Sequence, residues 1–139
     1  MKIWVVDDDP AICSMLKILL STKGHQVETY ADPTATPITQ PPETACSRSH
    51  PCADVMLVDY FMPNMNGLEF LKLLEERGCG AAQGNKAIIT AYGTSELCQE
   101  LDQLGVKYFK KPFRFPEIVK WLDGCASRIA ADRDLPHAS

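Results

Sequence analysis

The feature that most restricts the fold is a set of apolar runs too short for helices, alternating with longer stretches of helical periodicity. Residues 2–6 (KIWVV), 54–58 (DVMLV) and 86–90 (KAIIT) are apolar almost throughout and rich in β-branched side chains. Such runs read as strands buried on both faces. Residues 26–30 and 106–110 are read as two more strands. Between them, residues 10–23 carry Ile12, Met15, Leu16, Leu19 and Leu20 at helical spacing, and Gly24 supplies a stop. Residues 66–77 place Leu68, Leu71 and Leu74 on one face before Gly78, and residues 95–104 and 115–129 are read as further helices. For 95–104 the start is assigned to Ser95 and the acidic residues after it, a stronger capping pattern than Thr94. Alternation of this kind predicts an α/β fold with a parallel sheet covered on both faces.

One stretch interrupts the pattern. Residues 31–53 contain Pro33, Pro37, Pro41, Pro42 and Pro51 among Thr, Ser and Gln. A parallel connection needs a crossover here, yet each proline inside a helix costs about 3 kcal/mol. The expectation is an irregular connection between strands two and three, with a short or distorted helix and a mobile loop. Residues 131–139 are polar and read as a tail or linker after a domain spanning 1–130.

Composition narrows the function classes. A chain of 139 residues has room for one core, and 45% hydrophobic residues is ordinary for a globular domain. A formal charge of −4 argues against direct nucleic-acid binding by this domain. No apolar run approaches the roughly 18 residues of a membrane helix, and the start of the chain lacks the pattern of a signal peptide. A cytoplasmic location is therefore expected, with Cys13, Cys46, Cys52, Cys79, Cys98 and Cys125 as reduced thiols. Cys46, His50 and Cys52 match no usual zinc spacing.

In an open parallel sheet, ligands bind beyond the carboxyl ends of the strands. Those ends carry Asp7 and Asp8, then Asp59, Thr90, and Lys110 with Lys111. Three acids, a hydroxyl and a lysine are thus predicted to gather at one rim. Carboxylates a few ångströms apart repel by roughly 4 kcal/mol per pair at an effective dielectric near 20, and a divalent cation offsets that repulsion. Magnesium takes one or two carboxylates and leaves positions for phosphate oxygens. An Asp can then act as nucleophile and form an aspartyl phosphate, with Lys111 and Thr90 facing the phosphoryl oxygens. Other polar residues have plainer readings: Asp9 before Pro10 is a helix cap, Lys110 is a solvated edge charge, and Tyr108 taken alone is a core aromatic.

The segments VVDDDPAI, LVDYFMPNMNG, IITAYG and KYFKKPF, in this order and spacing, closely resemble the receiver domain of two-component response regulators, including the single-domain chemotaxis type. The resemblance covers roughly residues 1–130. It implies a flavodoxin-like, doubly wound five-stranded parallel sheet in the order 2-1-3-4-5. It implies that Asp59 is the phosphoacceptor, that Asp7, Asp8, Asp59 and the Phe61 carbonyl hold Mg2+, and that Thr90 and Lys111 contact the phosphoryl group. Tyr108 resembles the aromatic that swings between exposed and buried positions as Thr90 moves, and the Lys111–Pro112 bond is implied to be cis. A histidine kinase or phosphotransfer protein would be the donor. The receiving partner would be an effector protein or an output domain, contacted by the 95–104 helix, strand five and the last helix, and the resemblance also allows a phosphorylation-dependent homodimer. Such self-catalysed transfer is not enzyme turnover in the ordinary sense.

Departures from the family pattern lie outside these positions. The 31–53 connection is longer and richer in proline, and Asn66 stands where Asp is common, although Asn caps a helix about as well. Phe61 and Tyr92 each lie two residues past a site residue, and two bulky aromatics there are expected to hinder an attacking water and slow self-dephosphorylation. A phosphorylation-independent interaction module of the same fold is the alternative function. An aspartyl-phosphate phosphatase is disfavoured, because such enzymes carry a second Asp where Phe61 stands.

Overall fold

Strand β1 (Lys2–Val6) sends its apolar side chains alternately to two faces, and both are covered. The computed structural model describes residues 1–36, 53–63, 65–76, 83–91 and 93–134. Along them follow α1 (Pro10–Thr22), β2 (Gln26–Tyr30), a 3-10 turn (Pro33–Ala35), β3 (Val55–Asp59), α2 (Gly67–Glu76), a second 3-10 turn (Gln83–Asn85), β4 (Lys86–Thr90), α3 (Ser95–Leu104), β5 (Lys107–Lys110) and α4 (Phe115–Asp134). All four strand pairings are parallel and the order is β2-β1-β3-β4-β5, the flavodoxin-like arrangement implied by the resemblance.

The strand period of two divides the core into two layers. Ile3, Val5, Val55, Leu57, Ala87, Ile89 and Phe109 face α1 and α4, which contribute Leu16, Leu20, Ile118 and Leu122. Trp4, Val6, Met56, Val58 and Ile88 face α2 and α3, which contribute Phe70, Leu71, Leu74, Leu97 and Leu101. Fully burying a side chain of this size stabilises by about 1.5–3 kcal/mol, so neither layer is dispensable. No helix among the described residues is long and apolar enough to cross a membrane.

Local chemistry sets the ends. The Asp9 carboxylate caps α1 by accepting from the Ala11 N–H at 2.9 Å, with Pro10 in the first turn. Gly24 follows with φ +89°, a backbone that favours glycine. Asn66 and Glu69 form a reciprocal capping box at α2: the Glu69 N–H donates to Asn66 Oδ1 at 2.8 Å and the Asn66 N–H to Glu69 Oε1 at 3.3 Å.

Several boundaries differ from expectation. Helix α3 is capped by Thr94, not Ser95: Thr94 is extended (φ −84°, ψ 161°) and its hydroxyl accepts from the Leu97 N–H. Ser95 is already helical, so it cannot occupy the extended cap position. Strand β3 runs one residue later than predicted because Asp59 still sits opposite Ile89 in the ladder. Helix α4 continues past Ile129 to Asp134, since Ala130 and Ala131 favour helix and no Gly or Pro intervenes. Of the proline-rich connection, the turn at Pro33–Ala35 is described, while 37–52 lie outside the described residues.

At the end of the sheet away from the strand C-termini, Arg128 clamps α4 to the turn before β4. Its Nη2 donates to the Gly84 carbonyl at 2.8 Å and to Asn85 Oδ1 at 3.0 Å, and its Nε to the same Oδ1 at 3.2 Å. Asn85 is only 4% exposed, so Arg128→Ala strands a buried acceptor. The expected loss is about 1–3 kcal/mol in denaturant unfolding; an unchanged midpoint would show that the clamp contributes nothing.

Candidate phosphoacceptor site

Sheet hydrogen bonds run on beyond the strand ends and fix the rim. The Asp7 N–H donates to the Tyr30 carbonyl at 3.0 Å, the Tyr60 N–H to the Ile89 carbonyl at 3.0 Å, and the Lys111 N–H to the Thr90 carbonyl at 2.9 Å. Residues at three strand ends are thereby held by backbone rather than by their own side chains. Asp7, Asp8 and Asp59 each offer a carboxylate oxygen, and these atoms lie within 4.8 Å of one another. Asp7 and Asp59 are buried, at 2% and 6% exposure, while Asp8 is exposed.

Lys111 joins the cluster from the loop after β5. Its Nζ lies 3.1 Å from Asp7 Oδ2 and 3.4 Å from Asp59 Oδ1. The Lys111–Pro112 peptide bond is cis, as the resemblance implies. Burial alone would lower the pKa of Lys111, but the hydrogen bond to Asp7 and the charges of Asp7 and Asp59 outweigh it and hold the ammonium charged. Three carboxylates face one ammonium, which leaves negative charge in excess. Burial first, and then the Asp7 charge, push Asp59 from the ordinary 3.8 up to about 6 in spite of Lys111.

This donor set suits a hard divalent cation. All three groups are carboxylates, the ligand type that magnesium accepts, and no thiolate or imidazole belongs to the cluster. Cys13 lies beneath it, but its Sγ–H donates to the Asp7 carbonyl at 3.2 Å, and burial followed by the Asp7 charge raises its pKa, keeping it a thiol. Asp9 stays outside the cluster: its N–H donates to Asp7 Oδ1 at 2.9 Å while its carboxylate caps α1.

The remaining predicted residues fall as follows. Thr90 is fully buried at the end of β4, beside Lys110 in the β4–β5 register. Phe61 is 53% exposed on the loop after β3, its ring edge-on to Tyr60 at 4.9 Å between centroids. Tyr108 is half-buried on β5 against the layer formed by α2 and α3, and burial followed by Cys98 raises its phenol pKa. Tyr92 lies outside the described residues.

Sequence reasoning missed two glycines here. A Cβ on Gly67 would lie 2.6 Å from the Asp59 carbonyl oxygen and 2.7 Å from Ile88 Cδ1, and the Gly67 N–H donates to the Tyr60 carbonyl at 2.8 Å. Helix α2 thus begins directly on the backbone of Asp59. The second, Gly93, touches Tyr108. Neither contact is visible without coordinates, although Gly67 within NMNG is the residue type that close approach demands.

Comparison with known proteins decides the family. The sequence model of the response regulator receiver domain matches residues 3–123. The chain belongs to the response-regulator receiver family. This receiver is 35% identical over 120 residues to the transcriptional regulatory protein CpxR of Escherichia coli, covering 85% of the present chain and 46% of CpxR. It is 31% identical to the transcriptional regulatory protein FlgR of Helicobacter pylori over 123 residues, 86% of this chain and 28% of that one. The chain thus spans less than half of these relatives. Among solved structures, the Vibrio cholerae chemotaxis protein CheY4 matches with a TM-score of 0.68 and 27% identity, covering 89% of this chain and 97% of the other. The Francisella response regulator 1452 receiver domain shares the fold, with a TM-score of 0.72 at 23% identity over 91% of this chain and 97% of its own.

Because the folded state holds a proton on Asp59 that the unfolded chain releases, the metal-free receiver is expected to lose stability as pH rises from about 4 to about 6. Asp59→Asn should flatten that slope and stabilise the metal-free protein at pH 7 by on the order of 1–3 kcal/mol. Denaturant titrations across this range check the sign; a stability that rises with pH equally in both proteins contradicts it.

Proposed function

We propose that this receiver accepts a phosphoryl group on Asp59 from a histidine kinase or phosphotransfer protein and thereby changes its partner preference. The observation that carries the proposal is the meeting of three carboxylate oxygens within 4.8 Å, two of them paired with Lys111. Asp7, Asp8, Asp59 and the Phe61 carbonyl would hold Mg2+, which when bound neutralises phosphoryl oxygens during transfer.

The protein's own groups do the rest. An Asp59 Oδ attacks phosphorus in line, the P–N bond of a phosphohistidine breaks, and its electron pair returns to the imidazole, which takes up a proton. Asp59 must be ionised to attack, and with a pKa of about 6 it is so at neutral pH. The Lys111 ammonium then exchanges a carboxylate oxygen for a phosphoryl oxygen, and the Thr90 hydroxyl donates to another. The phosphoryl group is the protein's own modification, so the chain is a self-phosphorylating switch and not an enzyme with metabolite turnover. Phe61, exposed on the loop after β3, would slow attack by water, and Tyr92, two residues past Thr90 in the sequence, would share that role. The cytoplasm is the proposed site of action.

The readout face is formed by α3, β5 and α4. Helix α3 carries Glu96, Glu100 and Asp102 without a basic residue, whereas β5 exposes Lys107 and Lys110; α4 is mixed, with Glu117 and Asp123 beside Lys120. Opposite charges side by side make this face complementary to a second copy turned by a two-fold axis, which supports a phosphorylation-dependent homodimer. An effector protein or an output domain is the other class of partner.

A donor must bring its phosphohistidine beside Lys111. An apolar cavity of about 500 Å3 adjoins that residue, lined by Ile12, Met15, Pro112 and Phe113 among others. Next to it α1 exposes Met15 at 40% and Ile18 at 64%, apolar area that a donor helix could cover.

Incubation with acetyl phosphate and Mg2+ is expected to add one phosphoryl mass to the chain, with none in Asp59→Asn and none after chelation. A natural chain that stays unmodified under these conditions sinks the proposal and leaves a phosphorylation-independent module. Separately, Met15→Glu or Ile18→Glu should slow transfer from a phosphohistidine protein by about tenfold or more while acetyl phosphate labelling stays the same. Equal slowing with both donors would place the effect at the site itself.

A further inference from the structure

Gly93 lies in the loop from Thr90 to α3, one residue before the Thr94 cap. Its backbone does not call for glycine: the described positive-φ glycines are Gly24 and Gly105, and both have open space where a Cβ would stand. At Gly93 the situation is reversed. A Cβ there would collide with the Tyr108 hydroxyl and lie 2.7 Å from Cζ and 2.9 Å from Cε2. The three nearest atoms all belong to Tyr108, so its ring is what a side chain at position 93 would meet first.

We propose that Gly93 is the seat of Tyr108: the bare backbone at this position is what admits the ring to its half-buried place, and any side chain there drives the ring outward. The atoms in conflict are the far end of a side chain that turns about its χ1 bond, so relief needs no movement of β5. The seat is also anchored at both ends. On one side β4 ends at Thr90, whose carbonyl accepts from the Lys111 N–H at 2.9 Å. On the other, the Thr94 hydroxyl holds the Leu97 N–H at 3.1 Å. On the switch reading, a movement of the loop after Thr90 would carry residue 93 with it, and the ring would respond through contact with residue 93. This consequence rests on the switch reading above; the steric statement does not.

The test uses the full chain, Gly93→Ala, and the same substitution in a Tyr108→Ala background. In the natural protein, a nuclear Overhauser contact between the Tyr108 ring protons and the Gly93 α-protons is expected, and it should vanish in Gly93→Ala. Nitration of Tyr108 by tetranitromethane, located by mass spectrometry, should become several-fold faster in the variant. An unchanged nitration rate, or a ring contact retained in the variant, overturns the proposal. Gly93→Ala should shift the thermal midpoint only where Tyr108 is present; an equal shift in both backgrounds assigns the glycine to the backbone and overturns the proposal too. Beryllofluoride with Mg2+ should alter Tyr108 nitration in the natural chain and much less in Gly93→Ala, and an equal response removes the seat from the switching path. Both proteins should take up phosphoryl mass from acetyl phosphate at the same rate. Failure of both to do so counts against Asp59 as acceptor, and the ring measurements still decide the seat.

Discussion

The ammonium of Lys111 is what permits Asp7 and Asp59 to be buried side by side. At 4.8 Å two carboxylates repel by roughly 3–4 kcal/mol at an effective dielectric near 20. Neither can withdraw, because the peptide units around them are bonded into the sheet. Lys111 shares its charge between both acids and still leaves Asp59 with a raised pKa. The site is therefore held in tension by a rigid frame, and it has a standing demand for more positive charge. That demand is the physical basis for reading it as a cation site.

The two layers of the core meet the site differently. Helix α1 brings Cys13 under Asp7 and seals it from below. On the other face, α2 begins against the Asp59 carbonyl with only Gly67 between them. The rim is thus flanked by an element of each layer, α1 against Asp7 and α2 against Asp59.

Much of this was legible in the sequence. The apolar runs gave β1, β3 and β4, because burial on both faces leaves little ambiguity when helices of distinct period separate them. Strands β2 and β5, only partly buried, were read from their place between the helical stretches. Three acids, Thr90 and Lys111 were legible as rim residues because strand ends project to one edge in any parallel sheet. The strand order came only with the family resemblance. What the sequence hid were contacts that depend on distances across the chain: Gly67 on Asp59, Gly93 on Tyr108, and Arg128 on Asn85. Caps were harder still, since Thr94 and Ser95 differ only in backbone angles that neighbouring residues decide.

The outer position of β5 has its own consequence. An uncovered terminal strand offers unpaired peptide groups to any other sheet, and lysines along it oppose such docking. Lys107 and Lys110 bracket this strand, both exposed, with the Lys107 ammonium 5.5 Å above the Phe109 ring. Two copies meeting there would have to dehydrate four like charges before their main chains could join. Any pairing of two copies is thereby turned toward side chains of the flanking helices, where contact would not merge two sheets into one.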